Sequence, residues 1–96
     1  MYGLSDELLG KLKQIQEKYN IKMLLFGSRA RNNYKYNSDI DIAVLDKVSK
    51  EIKYKILDEI DKIDTAYKID VVFIQNIENE SFLNSIYSEG VKIWKE

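Results

Sequence analysis

The chain alternates between segments in which apolar residues recur every three to four positions and short segments that are apolar throughout. The first kind predicts amphipathic helices. One helix is predicted over residues 5–19, with Ser5 as its N-cap and Asn20 as its stop. A second helix begins at Ser49, and a third covers Glu80–Glu89 and ends at a glycine. The apolar stripe predicted for the second helix comprises Ile52, Ile56, Ile60, Ile63 and Tyr67.

Four short apolar segments between and after these helices predict strands. They are Ile21–Phe26, Asp39–Leu45, Ile69–Ile74 and Val91–Trp94, the last being a short strand or a tail. The short polar connection between the first two strands suits antiparallel neighbours, whereas the helix between the second and third predicts a crossover between parallel strands. The order of elements therefore predicts an α/β (α+β) fold in which helices pack on a small mixed β-sheet.

Composition narrows the functional classes. The 96 residues are one domain's worth, so we interpret 1–96 as a single domain. The absence of cysteine and histidine excludes disulfides, imidazole bases and zinc sites built on those residues. The 15 basic and 16 acidic residues argue against a broad nucleic-acid surface. Neither a signal peptide nor an apolar run of about 20 residues is present, so we expect a cytoplasmic protein.

Size adds a further expectation. A domain this small has little room for a second lobe that would enclose a substrate. If the chain is an enzyme, part of its substrate-binding surface comes from another chain.

Three aspartates are candidates for a metal site. Because strand side chains alternate, Asp39 and Asp41 point to one face of the sheet, about 6.5–7 Å apart, while Ile40 and Ile42 point to the other. Asp70, near the start of the parallel third strand, lies toward the same sheet edge. Like charges held together repel each other, and a bound cation resolves the repulsion. Oxygen ligands without histidine or cysteine indicate Mg²⁺ or Mn²⁺ rather than zinc.

The turn after the first strand is a candidate phosphate site. Gly27 lets the backbone approach a ligand closely, and exposed N–H groups at the start of a helical turn over residues 28–31 bind phosphate. Ser28 adds a hydroxyl, and Arg29 and Arg31 can neutralise phosphate oxygens. An antiparallel pairing of the first two strands brings this turn beside Asp39. Carboxylates and a phosphate cradle together indicate a metal–nucleotide site.

The stretch GSRARNNYKYNSDIDIAV resembles the signature of polymerase-beta-like nucleotidyltransferases, in which Gly-Ser is followed by ten residues and then by Asp-x-Asp. Here Gly27-Ser28 precedes residues 29–38 and Asp39-Ile40-Asp41, and Asp70 resembles the family's third carboxylate. The small size and the GSRAR opening are similar to the minimal nucleotidyltransferase (MNT) subgroup. Members often have a glycine where this chain has Asn32. Because asparagine tolerates a left-handed backbone, we expect the turn to be kept.

The resemblance implies a catalytic palm that works with a separate helical partner of the HEPN type. In several such pairs the partner is a toxin, and the MNT protein is an antitoxin that transfers AMP from ATP to a tyrosine of the toxin. By this resemblance Asp39, Asp41 and Asp70 hold two Mg²⁺ ions (Mn²⁺ being possible), and Asp70 can accept the proton of the acceptor. Gly27, Ser28 and one of the two arginines orient the triphosphate.

Two other functions remain open at this point. The chain is alternatively the catalytic subunit that nucleotidylates a small molecule with a separate substrate-binding subunit. It is otherwise a non-catalytic antitoxin that acts by binding alone, although the presence of all three carboxylates disfavours this alternative.

Overall fold

A computed structural model of the protein describes residues 2–93. Its helices are α1 (Asp6–Tyr19), α2 (Lys50–Asp61) and α3 (Glu80–Glu89). Its strands are β1 (Met23–Phe26), β2 (Ile40–Val44), β3 (Ile69–Phe73) and β4 (Val91–Lys92), and a short 3-10 helix, Ile74–Asn76, follows β3. This is the predicted order of elements.

The four strands form one mixed sheet in the order β3-β2-β1-β4. β1 is antiparallel to both β2 and β4, whereas β2 and β3 are parallel and are joined through α2. The pairing confirms the predicted fold class and the predicted directions of the first three strands. The consequence for function is that the end of β1 and the starts of β2 and β3 meet at one edge of the sheet.

The sheet carries helices on both faces. On one face α1 and α2 cover alternate strand residues such as Met23, Leu25 and Ile42, all fully buried. On the other face α3 covers a smaller cluster in which Ile86 packs with Leu24 and Ala43. Because α3 is only ten residues long, it covers only part of the second face.

The helix termini follow the sequence signals. Ser5 caps α1 by accepting a hydrogen bond from the Leu8 N–H at 3.1 Å, and Ser49 caps α2 in the same way through Ile52. Asn20 ends α1 in the left-handed conformation, with φ 51°. Gly90 ends α3 in an extended conformation, where a Cβ would lie 2.4 Å from the carbonyl oxygen of Ile86. Close packing, not positive φ, therefore requires glycine at the end of α3.

Several predicted boundaries were wrong by one or more residues. β1 begins at Met23 because the N–H of Ile21 is still bonded to Gln16 at the end of α1, at 3.0 Å. β3 ends at Phe73 because Ile74 begins the 3-10 helix.

The predicted stripe of the second helix was also too long. α2 ends at Asp61, so Ile63 and Tyr67 lie beyond the helix, although both pack against the core. The apolar periodicity extends past the end of α2 because a turn brings Ile63 and Tyr67 back to the same core.

None of the helices within residues 2–93 is both long enough and apolar enough to cross a membrane. Of the predicted last strand, Val91 and Lys92 pair with β1, and Trp94 lies outside the part of the chain that the structure describes.

Candidate active site

Asp39, Asp41 and Asp70, which we call the carboxylate cluster, lie at the sheet edge that the topology predicts. Asp41 pairs with Asp70 across the parallel strands and with Phe26 across the antiparallel strands. Paired residues of neighbouring strands point to the same face and are separated by about 4.8 Å along the sheet. Asp39 is exposed and immediately precedes β2, a one-residue correction to the predicted strand. The two strand carboxylates therefore share the face that α3 partly covers.

The backbone of Gly27 lies directly against the cluster. Gly27 has φ 77°, and a Cβ at this position would lie 2.4 Å from Oδ2 of Asp41. Both the left-handed backbone and the close approach require glycine. The predicted contact between the end of the first strand and the aspartates is therefore present.

The chain after Gly27 makes the predicted helical turn. The N–H of Arg31 bonds to the carbonyl of Gly27 at 3.1 Å, and the N–H of Asn33 bonds to the carbonyl of Ser28 at 3.1 Å. Asn32 has φ 61°, which confirms that asparagine adopts the left-handed conformation in place of the family's glycine. Ser28 is half-buried at the start of this turn, where backbone N–H groups favour an anion.

The cluster is electrostatically frustrated. Partial burial raises the pKa of Asp41 above its ordinary value of 3.8, and the neighbouring charges of Asp70 and Asp39 raise it further. Arg31 and Lys68 oppose this shift. An Asp41 carboxylate that is partly buried beside two like charges favours the binding of a cation.

The carboxylate of Asp70 already has a cationic partner. Its Oδ1 lies 3.4 Å from Nζ of Lys68, and its side chain is 42% exposed. Within residues 2–93, no three acidic side chains are gathered in a geometry that would hold a metal ion. The donor chemistry nevertheless fits a hard divalent ion, because the edge offers carboxylate oxygens beside a backbone turn that leaves no room for a Cβ. A cation bound at Asp70 would compete with the Lys68 ammonium for the carboxylate.

Arg31 lies on the exposed side of the turn. Its NH1 forms an ion pair with Glu89 of α3 at 3.0 Å, and its charge lowers the pKa of Asp41. Arg31 is thus an exposed cation close enough to the carboxylates to act on Asp41.

Arg29, expected to be a phosphate ligand on equal terms with Arg31, is placed differently. Its side chain is 1% exposed and donates to the carbonyls of Ser38 and Tyr2. Its guanidinium also lies over the rings of Tyr34 and Tyr67. The structure therefore does not bring Arg29 to the cluster as an exposed phosphate donor.

Sequence reasoning did not identify Lys68 and Glu89 as neighbours of the site. Strand alternation could have identified Lys68, because a residue two positions before Asp70 points to the same side of an extended chain. Glu89 gave no such signal, because it contacts Arg31 across 58 positions of sequence.

One cavity of the structure lies away from the carboxylate cluster. It has a volume of about 590 Å³ and is lined by α1 and by the segment after α2, with Lys11, Lys18 and Glu59 among its residues. No member of the carboxylate cluster lines it, so the cavity and the candidate chemistry are on different parts of the molecule.

Solved structures show the same fold. A chain of a mutant toxin–antitoxin structure, MntA-HpeT, matches with 18% identity and a TM-score of 0.66 over 92% of this chain and 73% of the other. A chain of a toxin–antitoxin structure with AMP-PNP matches with 23% identity and a TM-score of 0.63 over the same shares.

A third match is the structure of a tri-AMPylated HEPN toxin from Shewanella oneidensis in complex with MNT antitoxin. It has 20% identity and a TM-score of 0.59 over 97% of this chain and 74% of the other.

The sequence comparisons give the family. No curated protein sequence matches the chain. The model of the family described as Polymerase beta, Nucleotidyltransferase matches residues 10–96, a range that includes the Gly-Ser turn and the whole carboxylate cluster. The chain therefore belongs to the polymerase beta nucleotidyltransferase family.

Proposed function

We propose that this nucleotidyltransferase is an antitoxin that transfers AMP from ATP to a tyrosine hydroxyl of a HEPN-type toxin, in a reaction that depends on divalent metal ions. The observation that carries the proposal is the register of Asp41 with Asp70 beside the Gly27 turn. Support for the partner and the reaction comes from two related folds, one in a structure with AMP-PNP and one in complex with an AMPylated HEPN toxin.

The residues of the proposed site have separate roles. The turn at Gly27 and Ser28 presents backbone N–H groups and a hydroxyl to the triphosphate, and Arg31 neutralises phosphate oxygens. Asp39, Asp41 and Asp70 would hold two Mg²⁺ ions, or Mn²⁺. When bound, the ions supply positive charge that stabilises the phosphates and lowers the pKa of the acceptor hydroxyl.

The transfer itself is a displacement at the α-phosphorus of ATP. The tyrosine oxygen forms a bond to that phosphorus, the bond to the β-phosphate oxygen breaks, and pyrophosphate leaves. Asp70 accepts the proton of the hydroxyl. Positioning and charge stabilisation provide most of the catalysis in this class of reaction. We infer that the toxin supplies the acceptor surface, because a small domain leaves little room for a second lobe.

The test is incubation of the protein with ATP labelled at the α-phosphate, Mg²⁺ and a purified HEPN-type partner. We expect label on the partner, at tyrosine, and a loss of about a hundredfold or more in the Asp41→Asn variant. Asp61→Asn is a matched control, since it removes one carboxylate at the end of α2.

The other outcomes identify the alternatives. Label on a small molecule but not on the partner would favour a subunit with a different acceptor. Tight binding without label would favour an antitoxin that acts by binding alone, and full activity of Asp41→Asn would exclude the assigned metal site.

A further inference from the structure

The ten-residue spacer between Gly-Ser and Asp-x-Asp is closed by its own first and last residues. The spacer begins with Arg29 and ends with Ser38. Nε and NH2 of Arg29 donate to the Ser38 carbonyl at 3.2 and 2.8 Å. A single side chain thus joins the residue after Ser28 to the residue before Asp39.

Arg29 also joins this loop to two other segments. Its NH1 donates to the carbonyl of Tyr2 at 3.0 Å. Its guanidinium carbon lies 4.9 Å from the centre of the Tyr34 ring, within the loop, and 4.5 Å from that of Tyr67, three residues before Asp70. We call Arg29 and the groups it contacts on Tyr2, Tyr34, Ser38 and Tyr67 the Arg29 clamp.

Burying the Arg29 guanidinium costs free energy, so a contribution to stability alone does not explain the clamp. Among residues 2–93, no carboxylate pairs with this buried guanidinium, whose charge is compensated by carbonyl dipoles and aromatic faces. The space around it is filled, because a Cβ on Gly3 would lie 2.6 Å from NH1 of Arg29 and 2.7 Å from Tyr34. A planar fork with donors in fixed directions suits this role better than a lysine ammonium.

We infer that Arg29 is a positioning residue that fixes the turn at Gly27 and Ser28 relative to the carboxylate cluster. Its donors set the separation of Ser28 from Asp39. Its contact with Tyr67 fixes the position of both residues relative to the start of β3. The inference rests on the proposed function for its catalytic consequence, but the ordering of the loop by Arg29 is independent of any ligand.

Hydrogen exchange measures that ordering without nucleotide or metal. In Arg29→Lys, which keeps the charge but loses the fork, we expect amide protection within residues 31–38 to fall at least about tenfold while protection of α3 is unchanged. Tyr34→Leu removes one ring and leaves the donors of Arg29, so it tests the clamp if Arg29→Lys fails to fold, and we expect a smaller loss in the same segment. Tyr36→Leu is the matched control, because Tyr36 is 85% exposed in the same loop.

Kinetics with ATP separate positioning from direct phosphate binding. We expect Arg29→Lys to lower kcat at least about tenfold while KM for ATP changes less than threefold, because misplacement of reacting groups affects mainly the chemical step. If Arg29 contacted phosphate, lysine would rescue kcat, and loop protection would be unchanged.

Two results would overturn the inference. One is unchanged exchange within residues 31–38 in Arg29→Lys and Tyr34→Leu, and the other is an equal loss of protection in the loop and in α3, which would indicate general destabilisation. If the wild-type protein transfers no AMP, the proposed function fails, yet the exchange measurement still decides whether Arg29 orders the loop.

Discussion

Gly27 has its backbone directly against the Asp41 carboxylate. Its positive φ and the 2.4 Å that would separate its Cβ from Asp41 both act against any side chain. A motif glycine is therefore explained by two measurable constraints, one conformational and one steric. Both constraints concern Gly27 and Asp41, which also take part in the proposed reaction.

Replacing Gly27 with alanine tests these constraints. We expect Gly27→Ala to lower the free energy of unfolding by about 1–2 kcal/mol, from the left-handed backbone, and to lower activity by displacing the Asp41 carboxylate. Urea unfolding and the AMP-transfer assay are the measurements. Gly10→Ala is the control, since a Cβ there meets nothing within 4 Å and alanine stabilises a helix by up to about 1 kcal/mol. Equal effects of the two substitutions would contradict the assignment.

Lys68 and Arg31 are the cations whose charges act on Asp41, and Lys68 is also paired with Asp70. Its ion pair with Asp70 is exposed, and such pairs contribute at most about 1 kcal/mol. We expect Lys68→Gln to raise the affinity for Mn²⁺ up to about fivefold at low salt, without nucleotide. Titration followed by electron paramagnetic resonance measures the affinity. Lys62→Gln removes the same charge from a pair with Asp58, so an equal gain in both variants would show a general charge effect.

At the scale of elements, the groups of the candidate site lie at or near the ends of regular elements. Gly27 follows β1, Asp39 precedes β2, and Glu89 is the last residue of α3. The crossover helix α2 carries none of these groups, but it sets the parallel direction of β3 and with it the register of Asp70 with Asp41. Because α2 contributes no residue to the candidate site, we expect a small loss of stability in α2 to leave the site intact while the protein stays folded.

The cap of α2 offers a test of that expectation. Ser49→Ala removes the acceptor for the Ile52 N–H and should lower the free energy of unfolding by about 1 kcal/mol, with AMP transfer unchanged while the protein remains folded. Chemical denaturation and the transfer assay are compared. Ser85→Ala on the exposed side of α3 should change stability by less than about 0.5 kcal/mol. A large activity loss in folded Ser49→Ala would show that α2 positions the site directly.

At the scale of the whole molecule, two carboxylates on opposite faces of the sheet act on stability in opposite directions. Burial and neighbouring carboxylates raise the pKa of Asp41 above 3.8, so its charged form destabilises the folded protein at neutral pH. The hydrogen bond from Tyr19 and the contact with Lys18 lower the pKa of Glu59 below 4.5, so its charged form stabilises the folded protein. The Asp41 carboxylate of the candidate site therefore lowers stability, whereas the Glu59 carboxylate on α2 contributes to it.

The pH dependence of unfolding tests both signs in one experiment. At pH 7 we expect Asp41→Asn to unfold at higher urea concentration than wild type, and Glu59→Gln at lower concentration. The first difference disappears as pH falls through the raised pKa of Asp41 toward 3.8. The second shrinks below 4.5 as Glu59 becomes protonated. A less stable Asp41→Asn at pH 7 would show that the cluster is not under like-charge repulsion.

Local sequence features predicted the elements and the motif. Capping, apolar periodicity and strand alternation predicted three helices and the order of the strands along the chain, because these features depend on neighbours a few positions away. A shared face for Asp39 and Asp41 stays a prediction, because Asp39 lies just before β2. The signature spacing also identified Gly27 and Ser28 as candidates, and the predicted parallel pairing of the second and third strands added Asp70. Boundaries failed at Ile21, Ile63 and Ile74, where contacts outside the element decide where it ends.

Only the tertiary structure separated the two arginines. Arg29 and Arg31 lie two positions apart in a polar stretch, and their local sequence does not distinguish which of them would bind phosphate. Packing buries Arg29 between Tyr34 and Tyr67, whereas Arg31 remains accessible beside Glu89. The partners that make this difference lie as far as 58 positions away in the chain, so burial and long-range pairing, which no local pattern encodes, separate the two side chains.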